Sequence, residues 1–87
     1  MNIVNIIWTP LAWEDYEYWQ NTEPDKVEKI NALIKDCKRN PFNGLGKPEP
    51  LKGNLKGFWS RRITLEHRFV YGVSPAGLTI VQCRFHY

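Results

Sequence analysis

The apolar positions of this chain change period several times, and each change predicts an element. Residues 3–8 form a short β-branched run closed by Thr9-Pro10, the pattern of a buried strand. Thr9 suits an N-cap, and Pro10 suits a first helical position, where its missing N–H costs nothing. A helix is predicted from residue 10 to about residue 20, with Leu11, Trp13, Tyr16, Trp19 and Gln20 marking one side. After the break at Asn21-Thr22-Glu23-Pro24, a second helix starts at Thr22 or Glu23. Val27, Ile30, Leu33, Ile34 and Cys37 give it the cleanest stripe in the chain, while its lysines and acids mostly face solvent. It ends at Asn40-Pro41, because the residue before a proline disfavours the helical region. A Gly/Pro-rich stretch, residues 41–56, reads as a long loop. Three strands are predicted after it, at about residues 58–65, 68–74 and 78–87, with Ser74-Pro75-Ala76-Gly77 as a hairpin turn. The order β-α-α-β-β-β implies an α+β fold, two N-terminal helices packed on a mainly antiparallel sheet, in a single domain spanning residues 1–87.

Composition narrows this picture. A chain of 87 residues buries a modest core, and its four Trp, four Tyr and four Phe help to fill it. The formal charge of +3 and a pI near 9.0 favour acidic partners, nucleic acid before anionic membrane. Cys37 and Cys83 show no metal-ligand spacing, and Cys37 on the helical stripe reads as a reduced, buried thiol. The acids lie mostly on the helices and form no metal motif, so neither metal nor cofactor is expected. The start lacks a basic, apolar leader, and no run approaches membrane-span length, so a soluble cytoplasmic protein is expected.

The chemistry-bearing residues fall in the second half. Pro48 and Pro50 flank Glu49 and hold it extended, so the carboxylate is presented. Lys47 and Lys52 lie on either side. Arg61-Arg62 and Glu66-His67-Arg68 add cations. If the last strand runs to Tyr87, Arg84 and His86 share one face, and Phe85 and Tyr87 the other. A base, a cation and an acid are what metal-free RNA cleavage requires. The 2′-hydroxyl loses a proton and attacks phosphorus, the cation steadies the phosphorane, and the acid protonates the leaving 5′-oxygen. His67 alternates with Arg68 and reads as a packed structural histidine.

These residues sit in recognisable company. Pro41-Phe42, Gly46-Lys47-Pro48-Glu49-Pro50-Leu51-Lys52, Asn54-Leu55 and Gly57-Phe58-Trp59-Ser60-Arg61-Arg62-Ile63 are followed by Glu66-His67-Arg68, Val70-Tyr71 and Cys83-Arg84-Phe85-His86-Tyr87. Together with Trp13-Glu14-Asp15-Tyr16 and Lys29-Ile30-Asn31 in the helical half, the chain resembles the YoeB toxins of the RelE-like superfamily. The resemblance implies a RelE-like microbial ribonuclease fold and a toxin of a type II toxin–antitoxin system. It also implies an endoribonuclease that cuts mRNA in the ribosomal A site and is restrained by a YefM-like antitoxin. It makes Glu49 the base, His86 the acid, Arg68 the phosphate stabiliser and Tyr87 an orienting group. Lys47, Lys52, Arg62 and Arg84 are then the RNA-binding cations. Ribosome, mRNA and antitoxin are the expected partners, a homodimer is allowed, and no membrane is involved. Two departures stand out: the start is a few residues longer than usual, and Phe85 replaces a common tyrosine.

The rival class is a basic module that binds RNA or the ribosome without cutting. Such a module needs cations and aromatics, whereas a presented carboxylate repels phosphate. Glu49 therefore favours the enzyme.

Overall fold

The computed structural model describes Ile3 and residues 5–87. Its second helix, α2 (Pro24–Arg39), forms on the cleanest stripe. Ile30, Leu33 and Cys37 are fully buried, and Val27 and Ile34 pack at the margin. Asp25 in its first turn and Lys38 and Arg39 in its last complement the helix dipole. Helix α1 (Pro10–Thr22) begins as expected, with Thr9 Oγ1 accepting from the Ala12 N–H at 3.1 Å. It turns a different face to the core, however. Ala12, Asp15 and Trp19 are buried, whereas Leu11, Trp13 and Gln20 are exposed. A small residue and an acid do not read as core, and only a partner for Asp15 makes that face buriable.

The strands are β1 (Ile6–Trp8), β2 (Glu49–Pro50), β3 (Trp59–Arg62), β4 (Arg68–Ser74) and β5 (Gly77–Gln82), ordered β1-β5-β4-β3-β2. β1 pairs with β5 in parallel and the other pairs are antiparallel. Two helices on a mainly antiparallel sheet is the expected architecture. Of the expected first strand, Ile6–Trp8 is strand and Ile3 is buried, while Val4, like Met1 and Asn2, lies outside the described residues. The helices cover one sheet face, where Phe69, Tyr71, Leu78 and Ile80 meet Ala12, Trp19, Ile30 and Leu33. The hairpin between β4 and β5 closes through the pair Ser74–Gly77. Gly77 has φ +137°, and a Cβ there would collide with the Asn5 carbonyl.

The stretch expected to be a loop, residues 41–56, contains β2 and a 3-10 turn, Gly53–Leu55. Its first half is held by Arg61, whose guanidinium is fully buried rather than part of a basic surface. Arg61 Nη1 donates to Asp36 Oδ2 at 2.6 Å and to the Leu45 carbonyl at 3.1 Å. Its Nη2 donates to the carbonyls of Asn40 and Asn43, and its Nε to the Tyr71 hydroxyl. The Tyr71 hydroxyl in turn donates to the Pro41 carbonyl. A buried cation with this many acceptors orders a segment that has little apolar surface of its own.

The largest departure is at the end of the chain. The expected strand over residues 78–87 stops at Gln82. The register shifts between Val70 and Tyr71. Beyond that point the Cys83 backbone bonds to α1 side chains: its N–H donates to Asp15 Oδ2 at 3.1 Å and its carbonyl accepts from Trp19 Nε1 at 2.8 Å. Phe85 then takes a left-handed φ of +64°. The simple alternation that would pair Arg84 with His86 is lost.

Candidate active site

Directly opposed residues in a sheet share a face. Glu49 opposes Ser60, Ser60 opposes Val70, and Val70 opposes Gln82, so these four form one row across β2, β3, β4 and β5. Arg62 opposes Arg68 in the neighbouring row. Both rows lie on the face away from the helices, because Arg61, Phe69 and Tyr71, which alternate with them, point into the core.

The end of the closing segment, residues 86–87, returns over this face. The Tyr87 hydroxyl donates to Glu49 Oε1 at 3.0 Å and accepts from Ser60 Oγ at 3.3 Å. The His86 ring lies 4.7 Å from the Tyr87 ring, centroid to centroid. Its Nδ1 faces the Tyr87 backbone oxygen at 3.1 Å; that oxygen only accepts, so this contact calls for a proton on Nδ1. Arg68 is mostly buried, and its Nη1 donates to the carbonyls of Thr64 and Leu65 at 2.9 and 2.7 Å. Its backbone N–H donates to the Phe85 carbonyl, which ties the start of β4 to the closing segment. A carboxylate, a phenol and an imidazole therefore meet on one sheet face, and Arg68, its guanidinium braced by turn carbonyls, stands in the adjacent row of that face.

Lys47, Lys52 and Arg62 are exposed near this group, Lys47 with a left-handed φ of +53°. Arg62 is fixed in height by its own N–H, which donates to the Gly46 carbonyl. Arg84 is not brought to the group. Its guanidinium carbon stands 3.5 Å above the Tyr18 ring of α1 and 4.4 Å from the Phe85 ring. The kink at Phe85 turns Arg84 toward the helix and His86 away from it. Further along the open face, Phe58 lies over Gly72 and helps to form an apolar groove of about 380 Å³ with Val73, Ser74 and Thr79.

Sequence reasoning passed over Ser60 and Asp15 as site-forming residues; it placed Trp19 on the apolar side of α1 but not as an anchor, with Asp15, of the closing segment at Cys83. The available signal was an acid on the apolar side of α1. Burial pushes the Asp15 carboxyl above the usual range, opposed by the Cys83 N–H and the charge of Arg84. Burial also pushes the thiols up, Cys37 to about 11 and Cys83 to about 12, and both are free. Among the described residues, no three His, Cys, Asp or Glu side chains are grouped to hold a metal ion. No helix among them is long and apolar enough to cross a membrane.

The model of the YoeB-like toxins of bacterial type II toxin–antitoxin systems matches residues 8–87. The chain belongs to the YoeB toxin family. It is 60% identical to the toxin YoeB of Escherichia coli strain K12 over 84 residues, which is 97% of this chain and all of that protein. A YoeB/ParE toxin from Agrobacterium tumefaciens superposes with a TM-score of 0.93 at 62% identity, covering 97% of this chain and 100% of the other. Two Staphylococcus aureus YoeB structures, each 48% identical over 97% of this chain and 98% of theirs, are a YoeB–YefM complex and a YoeB dimer, with TM-scores of 0.89 and 0.90. The open sheet face therefore belongs to a toxin of the YoeB family.

Proposed function

We propose that this YoeB toxin is a ribosome-dependent endoribonuclease that cuts mRNA in the A site and so stops translation. The observation that carries the reading is the meeting of Glu49, Ser60 and Tyr87 through two hydrogen bonds, with the His86 ring against Tyr87. In this reading Glu49 takes the proton of the 2′-hydroxyl, whose oxygen bonds to phosphorus. Arg68, braced by carbonyls, offers its remaining N–H groups to the phosphorane. The bond to the 5′-oxygen breaks, and His86 gives that oxygen a proton. Tyr87 orients both ends, touching Glu49 by its hydroxyl and His86 by its ring. The products are a 2′,3′-cyclic phosphate and a 5′-hydroxyl. Lys47, Lys52 and Arg62 hold the flanking phosphates.

The partners follow from the same reading: ribosome, mRNA and a YefM-like antitoxin whose acidic, poorly ordered segment folds along the basic face. The YoeB–YefM complex from Staphylococcus aureus supports the last. A homodimer would cover Leu11 and Trp13, which stand exposed beside Trp8 and Tyr16.

The test is to map mRNA ends in a cell-free translation reaction with and without the protein. New ends at A-site codons are expected. Stalled ribosomes carrying intact mRNA would support the rival, a module that binds without cutting.

A further inference from the structure

The Phe85 backbone is gripped by two consecutive residues. Its N–H donates to His67 Nδ1 at 2.8 Å, and its carbonyl accepts from the Arg68 N–H at 2.9 Å. The left-handed φ of +64° at Phe85 is uncommon for an aromatic residue and persists only where the surroundings enforce it. Those surroundings are closely bonded. The His67 ring meets the buried Trp19 ring edge-on at 4.8 Å. The His67 N–H donates to Thr64 Oγ1, and its carbonyl accepts from the Ile63 N–H. Because a backbone N–H can only donate, Nδ1 must be the unprotonated nitrogen and Nε2 must carry the hydrogen. Nε2 lies on the side of Glu66, whose Oε1 is 3.7 Å away.

We propose that His67 is a positioning residue. Its unprotonated Nδ1 holds Phe85 in the kink that turns His86 and Tyr87 back onto Glu49. This rests on the ribonuclease reading only for its consequence in catalysis; the geometry it asserts is independent of that reading. A packed ring would satisfy Trp19 without any nitrogen at this position. The nitrogen matters because the bond it accepts, together with the Arg68 N–H bond to the Phe85 carbonyl, fixes the residue immediately upstream of the His86 and Tyr87 side chains.

Two variants separate acceptor from ring. His67→Phe keeps a ring against Trp19 and removes the acceptor. His67→Asn gives up the ring and places Oδ1 where Nδ1 stands. In His67→Phe the Phe85 amide should exchange roughly 3–10-fold faster, the worth of one lost hydrogen bond. The backbone order parameters of residues 86 and 87 should fall. Cleavage turnover should drop roughly 10–10²-fold, as for a misplaced catalytic group. His67→Asn should bring all three back to within about threefold of wild type if one acceptor is what counts. In the wild-type protein, the ¹⁵N shift of His67 Nδ1 should be that of an unprotonated nitrogen. A protonated Nδ1, unchanged tail order in His67→Phe, or an Asn variant as loose as the Phe variant would each overturn the proposal. So would a loosened tail with full cleavage. Absence of cleavage in the wild-type protein would count against the ribonuclease reading alone, and the exchange and order measurements would still decide the role of His67.

Discussion

Tyr87 is the residue on which the open face converges. Its hydroxyl links Ser60 to Glu49, and its ring supports His86. Tyr87→Phe keeps the ring and removes the link, so it should lower turnover more than it lowers ribosome binding. Equal losses in both would make the hydroxyl a binding group only. His86→Gln should reduce cleavage roughly 10²–10⁴-fold, the usual worth of a positioned acid. Its thermal stability should barely move, because the side chain is exposed. Full activity in this variant would remove His86 from the mechanism. At this scale the sequence was informative where chemistry is unusual: a carboxylate between two prolines, and an imidazole beside a terminal phenol. It was uninformative where placement depends on one bond. Arg84 reads as a site cation until the Phe85 kink turns it onto Tyr18, and Arg61 reads as surface charge until its carbonyl cage is visible.

Elements were legible in proportion to how much apolar periodicity set them. Helix α2 satisfied its stripe, and β4 and its hairpin fell at the expected positions. Strand β2 and the end of β5 were not legible, because polar groups set them: the pairing of Glu49 with Ser60, and the capture of the Cys83 backbone by Asp15 and Trp19. The Arg61–Asp36 pair makes a prediction at this level. Asp36 is held below the usual carboxylate range, first by the Leu45 N–H and then by Arg61. Its stabilisation is therefore present above the ordinary aspartate value of about 3.9 and is lost as pH falls through the lowered folded value. Asp36→Asn should cost about 3 kcal/mol at neutral pH by leaving Arg61 without its carboxylate. It should also flatten the acid limb of the stability curve. An unchanged acid limb would mean that the pair contributes nothing to folding. Asp15 works in the opposite sense. Its raised value means that its charge costs stability as pH rises through it, so Asp15→Asn, which keeps an acceptor for Cys83, should be tolerated at neutral pH.

For the whole molecule, the architecture was legible because the element order and the one clean stripe of α2 leave few ways to close a core of this size, even though α1 turns a different face inward. The functional asymmetry follows from that layering: the helices occupy one face and leave the other to cations and the closing segment. With a formal charge of +3, association with the ribosome should weaken steeply with salt. Lys52→Ala and Arg62→Ala should each reduce the salt slope by about 0.7–0.9 log unit per lost phosphate contact. An unchanged slope in both would make them ordinary surface charges. Binding of a YefM-like antitoxin should slow hydrogen exchange over β4 and residues 83–87, since an inhibitor has to cover or remodel the open face. Protection confined to α1 and α2 would show inhibition by another route.

The central claim is that Glu49, Arg68 and His86 cut RNA by attack of its own 2′-hydroxyl. The chemical form of the cleaved ends tests it most directly. Ends produced on translating ribosomes should carry a 2′,3′-cyclic phosphate upstream and a 5′-hydroxyl downstream, and both should fall away together in His86→Gln. A 3′-hydroxyl facing a 5′-phosphate, or cyclic ends undiminished in that variant, would contradict the account.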